Sequence, residues 1–149
     1  MRHATRVMEP GSAIVNTASM AGMVGFPGLS SYGASKWGVV GLTCYAAIEF
    51  GPLGIRVNCV CPTGVDSPMT GDIGDHWAVR AQGLAHQHTD RLASVDDVAA
   101  AIHYLASDDA AMVNGHALCV DGGLGAGMSI KMIEAALGEP IRDGSAIIE

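Results

Sequence analysis

Tyr32 and Lys36 stand four residues apart in the run Ser30-Ser31-Tyr32-Gly33-Ala34-Ser35-Lys36. On a helix that spacing projects both side chains from one face, about a turn apart. A phenol beside an ammonium is an acid–base device. Tyrosine is a poor base at its ordinary pKa of about 10, but a fixed cation nearby favours the phenolate. Bringing such a group to pH 7 takes about 3 units, or roughly 4 kcal/mol, which one close cation in a partly desolvated site plus a cationic cofactor can supply. Taken alone, the same spacing also describes an ordinary helix with a packed tyrosine and a solvated lysine. The elements around it decide between the two.

A helix is predicted over residues 31–50. Its apolar residues, among them Trp37, Val39, Leu42, Tyr45, Ile48 and Phe50, do not keep to one stripe, so burial on two sides is expected. One side can cover a sheet; the other calls for a second layer, most simply a partner subunit. Gly38 and Gly41 each cost about 1 kcal/mol of helix propensity against Ala, and close helix–helix approach would explain them. Gly51-Pro52 and Gly54 stop the helix. Upstream, residues 5–8 read as the last turn of a helix whose beginning is absent, ended by Pro10-Gly11. Residues 12–16 form a short β-branched run between breakers, read as a buried strand. The Gly-rich stretch 22–28 is interrupted by Pro27 and opens no helix behind its first glycines. It reads as a mobile loop beside a site, not as a dinucleotide fingerprint.

Residues 55–61 are apolar enough for a central strand of a parallel sheet. Pro62-Thr63-Gly64-Val65-Asp66-Ser67 follows at its C-terminal end, where open parallel sheets bind their ligands. Residues 70–90 are polar and without a convincing period, and read as a partly helical lid. Ser94-Val95-Asp96-Asp97 has the form of a capping box, with Asp in place of Glu, opening a helix to residue 106. Asn114-Gly115 turns the chain into a third strand over 116–120. Gly123-Leu124-Gly125-Ala126-Gly127 has no complete βαβ unit behind it and is weak as a nucleotide loop. The tail, 128–149, holds one short helix over 130–137 and carries no assigned function.

The bulk properties bound the function. The 149 residues make about one domain, with 49% hydrophobic and 15% charged residues, a globular composition able to bury a core. A net charge of −7 without a basic stripe argues against a nucleic-acid partner. No apolar run approaches the roughly 18 residues of a membrane span, and the first six residues lack the apolar core of a signal peptide. The expected compartment is the cytoplasm. Cys44, Cys59, Cys61 and Cys119 form no Cys-x-x-Cys pair, so buried thiols are expected rather than a disulfide or zinc framework. His86-Gln87-His88 has no third ligand at useful spacing, and no metal site is expected.

The order strand, serine, loop, helix with Tyr-x-x-x-Lys, strand, Pro-containing loop, helix, strand resembles the C-terminal half of a classical short-chain dehydrogenase/reductase. Ile14-Val15-Asn16-Thr17-Ala18-Ser19 is similar to the family's strand leading to its catalytic serine, and Ser19 precedes Tyr32 by 13 positions, the family's spacing. Arg56-Val57-Asn58-Cys59-Val60-Cys61-Pro62 is similar to its sixth-strand motif, and Val120-Asp121-Gly122-Gly123 to its last strand. The resemblance covers about 6–123. It implies an α/β fold, a partial doubly wound (Rossmann-like) parallel sheet of about three strands with flanking helices. Residues 1–127 would be the C-terminal half of the domain, without its N-terminal βαβ half. It also implies an NAD- or NADP-dependent oxidoreductase interconverting a secondary alcohol and a ketone. Tyr32 would be the general acid/base; Lys36 would support it and hydrogen-bond the nicotinamide ribose; Ser19 would donate to the reacting oxygen. Tyr32, Lys36, Pro62, Thr63, Gly64, Val65 and Ser67 would hold the cofactor, with the Val65 backbone and the Ser67 hydroxyl on the carboxamide. Thr63-Gly64 replaces the family's usual Pro-Gly, a form associated with members acting on cyclic and terpenoid alcohols.

The family's dinucleotide-binding βαβ unit, its ribose-selecting acidic residue and the asparagine of its catalytic tetrad have no counterpart here. The expected partners are a small-molecule alcohol or ketone and a second copy of the chain through the 31–50 helix, with neither nucleic acid nor membrane. Two other readings stand beside this one. A truncated, non-catalytic fragment would act only through assembly with a homologous subunit. A minimal enzyme would gain its cofactor half from another chain.

Overall fold

The computed structural model describes residues 1–68, 85, 89 and 91–141. Three strands make a parallel sheet: β1 (Ala13–Thr17), β2 (Arg56–Pro62) and β5 (Ala117–Val120), in the order β1-β2-β5. Ala13 to Thr17 pair with Arg56 to Val60, and Cys59 to Pro62 with Ala117 to Val120. The central strand is the most apolar, and Val57, Cys59, Val60 and Cys61 have no exposed surface. That is the expected state of a strand covered on both faces. Helix α1 (Ser30–Phe50) packs on β1 and β2, and α2 (Val95–Ala106) also packs on the sheet. A short α3 (Ile130–Leu137) follows, capped by the Ser129 hydroxyl accepting from Met132 N–H at 3.1 Å.

Polar side chains tie these layers together. The buried Asn58 carboxamide donates to Val113 C=O at 2.8 Å and accepts from His116 N–H at 2.9 Å, fixing the turn into β5. Asn114 accepts from Val57 N–H at 2.8 Å and donates to Ala47 C=O at 3.2 Å, linking β2 to the end of α1. Arg56 donates to the carbonyls of Leu105 at 2.8 Å and Ser107 at 2.9 Å, satisfying the C-terminal end of α2. The Arg56-Val57-Asn58 run is therefore a three-way clamp among β2, α2 and the 113–116 turn.

Every long element expected from the sequence is present within a residue or two at each end. The Ser94 capping box is formed: its hydroxyl accepts from Asp97 N–H at 3.1 Å, and Asp97 accepts from Ser94 N–H at 2.7 Å. The N-terminal turn is a 3-10 segment, Ala4–Arg6. A second sheet was not foreseen: β3 (Val65–Asp66) pairs in parallel with β4 (Ala93–Ser94). The expected lid over 70–90 lies almost wholly outside the described residues. One expectation needs correction. Cys59 and Cys61 are buried, but Cys44 and Cys119 are exposed. No described residue of this chain lies within 4 Å of where a side chain would start at Gly38 or Gly41, which leaves both open to a second subunit.

Asn58→Leu leaves the His116 N–H without its partner in a buried setting and the Val113 carbonyl with only the longer Arg56 contact at 3.5 Å. Its expected cost is about 2–4 kcal/mol of unfolding free energy, read by urea denaturation.

Candidate active site

The C-terminal ends of β1 and β2 point the same way because the strands are parallel, and the chain leaves each end through a short irregular segment. Beyond β1 come Ala18 and Ser19. Ser19 is extended (φ −171°, ψ 161°) and caps the 3-10 turn Met20–Gly22, its Oγ accepting from Ala21 N–H at 3.2 Å. The hydroxyl proton stays available, since among the described residues it is donated to no protein acceptor. Beyond β2, Thr63 N–H donates to Val120 C=O at 3.1 Å, and the Gly64 carbonyl accepts from Ala93 N–H at 3.2 Å. These bonds hold the 62–67 segment against β5 and β4.

Helix α1 carries the other two groups. Lys36 Nζ donates to the carbonyl of Thr17, the last residue of β1, at 3.1 Å. The same ammonium lies 5.5 Å from the centroid of the Tyr32 ring, within cation–π range. Tyr32 is 45% exposed, and its hydroxyl has no hydrogen-bond partner among the described residues. One cavity of about 360 Å³ is lined by Ser19, Tyr32 and Lys36 and also by Pro62, Thr63, Gly64, Val65 and Ser67. All eight residues singled out from the sequence thus meet at one place. Phe26, Leu29 and Met20 complete an apolar wall that sequence reasoning did not assign. The signal for it was there in Phe26 and Leu29, two large apolar residues flanking Pro27-Gly28.

Across Thr63 lies a second cavity of about 470 Å³, bordered by Arg91, Asp97, Cys119 and Asp121. Its charges serve the fold. Arg91 grips Asp97 with both terminal nitrogens, Nη2–Oδ1 at 3.1 Å, and holds its carboxyl well below the usual range. The Asp121 carboxylate accepts from Gly123 N–H at 3.0 Å and Gly125 N–H at 2.7 Å. The Ser19 and Tyr32 hydroxyls and the Lys36 ammonium of the smaller cavity are the better equipment for proton transfer.

A family model described as enoyl-(acyl carrier protein) reductase matches residues 1–125. The chain belongs to the short-chain dehydrogenase/reductase family. Borneol dehydrogenase of Lavandula x intermedia is 46% identical over 125 residues, a match covering 83% of this chain and 46% of that protein. A short-chain dehydrogenase/reductase of Burkholderia thailandensis superposes with TM-score 0.71 at 33% identity, covering 86% of this chain and 49% of that one. A 4-hydroxyisoleucine dehydrogenase solved with NADH also superposes with TM-score 0.71, at 35% identity and with coverage of 77% and 47%. The chain spans about half the length of these relatives, so in this family it corresponds to a partial Rossmann-like fold.

Cys59 and Cys61 lie on one face of β2 beneath the site, and among the described residues no group of three or more His, Cys, Asp or Glu is placed to hold a metal ion. The Cys59 thiol beside it and burial together push the Cys61 thiol well above its ordinary value. Cys61 should therefore resist iodoacetamide at pH 8 in the native chain and react once the chain is unfolded, as read by mass spectrometry.

Proposed function

We propose that this chain carries the catalytic and nicotinamide-facing half of an NAD- or NADP-dependent oxidoreductase that interconverts a secondary alcohol and a ketone. The observation that carries the reading is the convergence of Ser19, Tyr32, Lys36 and the 62–67 segment on one cavity. The names of the relatives, borneol dehydrogenase and 4-hydroxyisoleucine dehydrogenase, support the same reaction class, and the latter's complex with NADH supports the cofactor.

The residues present fit a nicotinamide nucleoside. Pro62 and Val65 form an apolar wall for a flat ring, and Val65 and Ser67, whose backbone and hydroxyl are assigned to the carboxamide, line the same cavity. Lys36 spends one ammonium proton on Thr17 C=O and keeps others for a ribose hydroxyl. When bound, such a dinucleotide supplies two-electron redox chemistry. The protein's part is the proton. Tyr32 Oη takes it from the alcohol, or gives it to the carbonyl oxygen in the reverse direction. Ser19 Oγ donates its hydrogen to the same oxygen, where negative charge develops. The Ala21 N–H bond already fixes that hydroxyl, so little reorganisation is needed.

The cavity wall narrows the substrate. Lys36 is its one charged lining residue among those described, and Phe26, Leu29 and Met20 face it. Such a wall suits an apolar, uncharged alcohol, in keeping with the name of the borneol relative. Assembly is part of the proposal. Trp37, Tyr45 and Ile48 on α1 are 54%, 71% and 76% exposed, an apolar surface suited to a second copy or a homologous subunit. That surface is also the observation favouring the second reading, a non-catalytic subunit acting through assembly alone.

Tyr32→Phe should reduce alcohol-dependent NAD(P)H formation at least 100-fold, in line with a lost general acid/base, while cofactor affinity stays nearly unchanged. Substantial remaining turnover would remove Tyr32 from its role.

A further inference from the structure

The 3-10 turn that begins at Ser19 lies directly against the part of α1 bearing Tyr32 and Lys36. Two glycines make that contact. A methyl group built on Gly22 would stand 2.7 Å from the Lys36 carbonyl oxygen and 2.8 Å from its carbonyl carbon. Built on Gly33, it would stand 3.3 Å from the Ala21 carbonyl oxygen. The obstruction at Gly22 is helix backbone, which has no rotamer to yield. Gly22 is also fully packed and lies outside the left-handed region, so an alanine is conformationally allowed there. Close approach alone demands glycine.

We propose that Gly22, seconded by Gly33, is a positioning residue that sets the separation of Ser19 from the Tyr32–Lys36 pair. The proposal rests on the catalytic reading of those three residues. Alanine at Gly22 forces the turn and the helix apart by about 0.7 Å to reach ordinary contact at 3.4 Å. Ser19 is carried on the turn, and Tyr32 and Lys36 on the helix, so the shift falls between the two hydroxyls that must meet one oxygen atom. The Lys36–Thr17 bond crosses the same seam and is loosened with it. Misplacements of this size cost up to about 100-fold in rate when reacting groups must align. Gly25, in the same loop, has no described residue within 4 Å of where its side chain would start and provides the control.

The test compares Gly22→Ala, Gly33→Ala and Gly25→Ala in the full chain, by thermal unfolding, amide NMR spectra and turnover of a neutral secondary alcohol with NAD or NADP. Gly22→Ala should displace the amide resonances of Ser19, Ala21 and the 32–36 segment. It should lower kcat roughly 10- to 100-fold with little change in cofactor affinity. Gly33→Ala should move the same resonances less, and Gly25→Ala should move none of them. Unshifted resonances in Gly22→Ala, or a melting temperature lowered without them, would overturn the proposal. If Gly22→Ala does not fold, the Gly33→Ala spectrum decides by the same criterion. A wild-type chain without turnover would count against the catalytic reading, while the resonances would still decide the spacing.

Discussion

The bond from the Lys36 ammonium to the Thr17 carbonyl joins the two halves of the site. Thr17 ends β1, and Lys36 lies two turns into α1, so this one contact fixes the helix against the mouth of the sheet. The rest of the architecture makes that contact possible. Parallel pairing of β1 with β2 places both strand ends at the same level, and the clamp through Arg56, Asn58 and Asn114 holds β2 in register with α1, α2 and β5. Ser19 and the 62–67 segment can then share a wall because their strands are neighbours.

The chemistry follows from what these groups have left to give. Lys36 engages a backbone carbonyl and the face of the Tyr32 ring, and the Ser19 oxygen accepts from Ala21 N–H. The Tyr32 hydroxyl and the Ser19 proton remain uncommitted among the described residues and face one cavity. Among the described residues no buried side-chain nitrogen or oxygen lacks a partner, whereas the half-exposed Tyr32 hydroxyl and the Ser19 proton are left for a bound molecule.

Much of this was legible in the sequence because each part has a local cause. The Tyr32–Lys36 spacing matters only on a helix, and the apolar run of 31–50 supplies one. The β-branched run at 12–16 and the apolar 55–61 run are short segments bounded by breakers, each one residue off its strand, and Ser94 with Asp97 caps α2 through bonds within one turn. What escaped reading depends on partners remote in sequence. The two-residue strands β3 and β4 are too short to carry a period and pair with residues about 28 positions away, with Gly64 C=O meeting Ala93 N–H. The outer face of α1 looks like a core face because Trp37, Tyr45 and Ile48 are apolar, yet no described residue of this chain covers it. Gly38 and Gly41 stand out in the sequence as helix-weakening residues, whereas the tight approaches among the described residues are at Gly22, Gly33, Gly54 and Gly125, and only those at Gly22 and Gly33 lie between the Ser19 turn and α1.

The most direct test of the account is a titration of the purified, folded chain with NADH and with NADPH, following nicotinamide fluorescence. The account predicts a saturable enhancement with at least one of them, because the residues assigned to the nicotinamide end line one cavity. A folded chain that leaves the fluorescence of both unchanged would contradict the assignment of the Ser19–Tyr32–Lys36 cavity as a nicotinamide site.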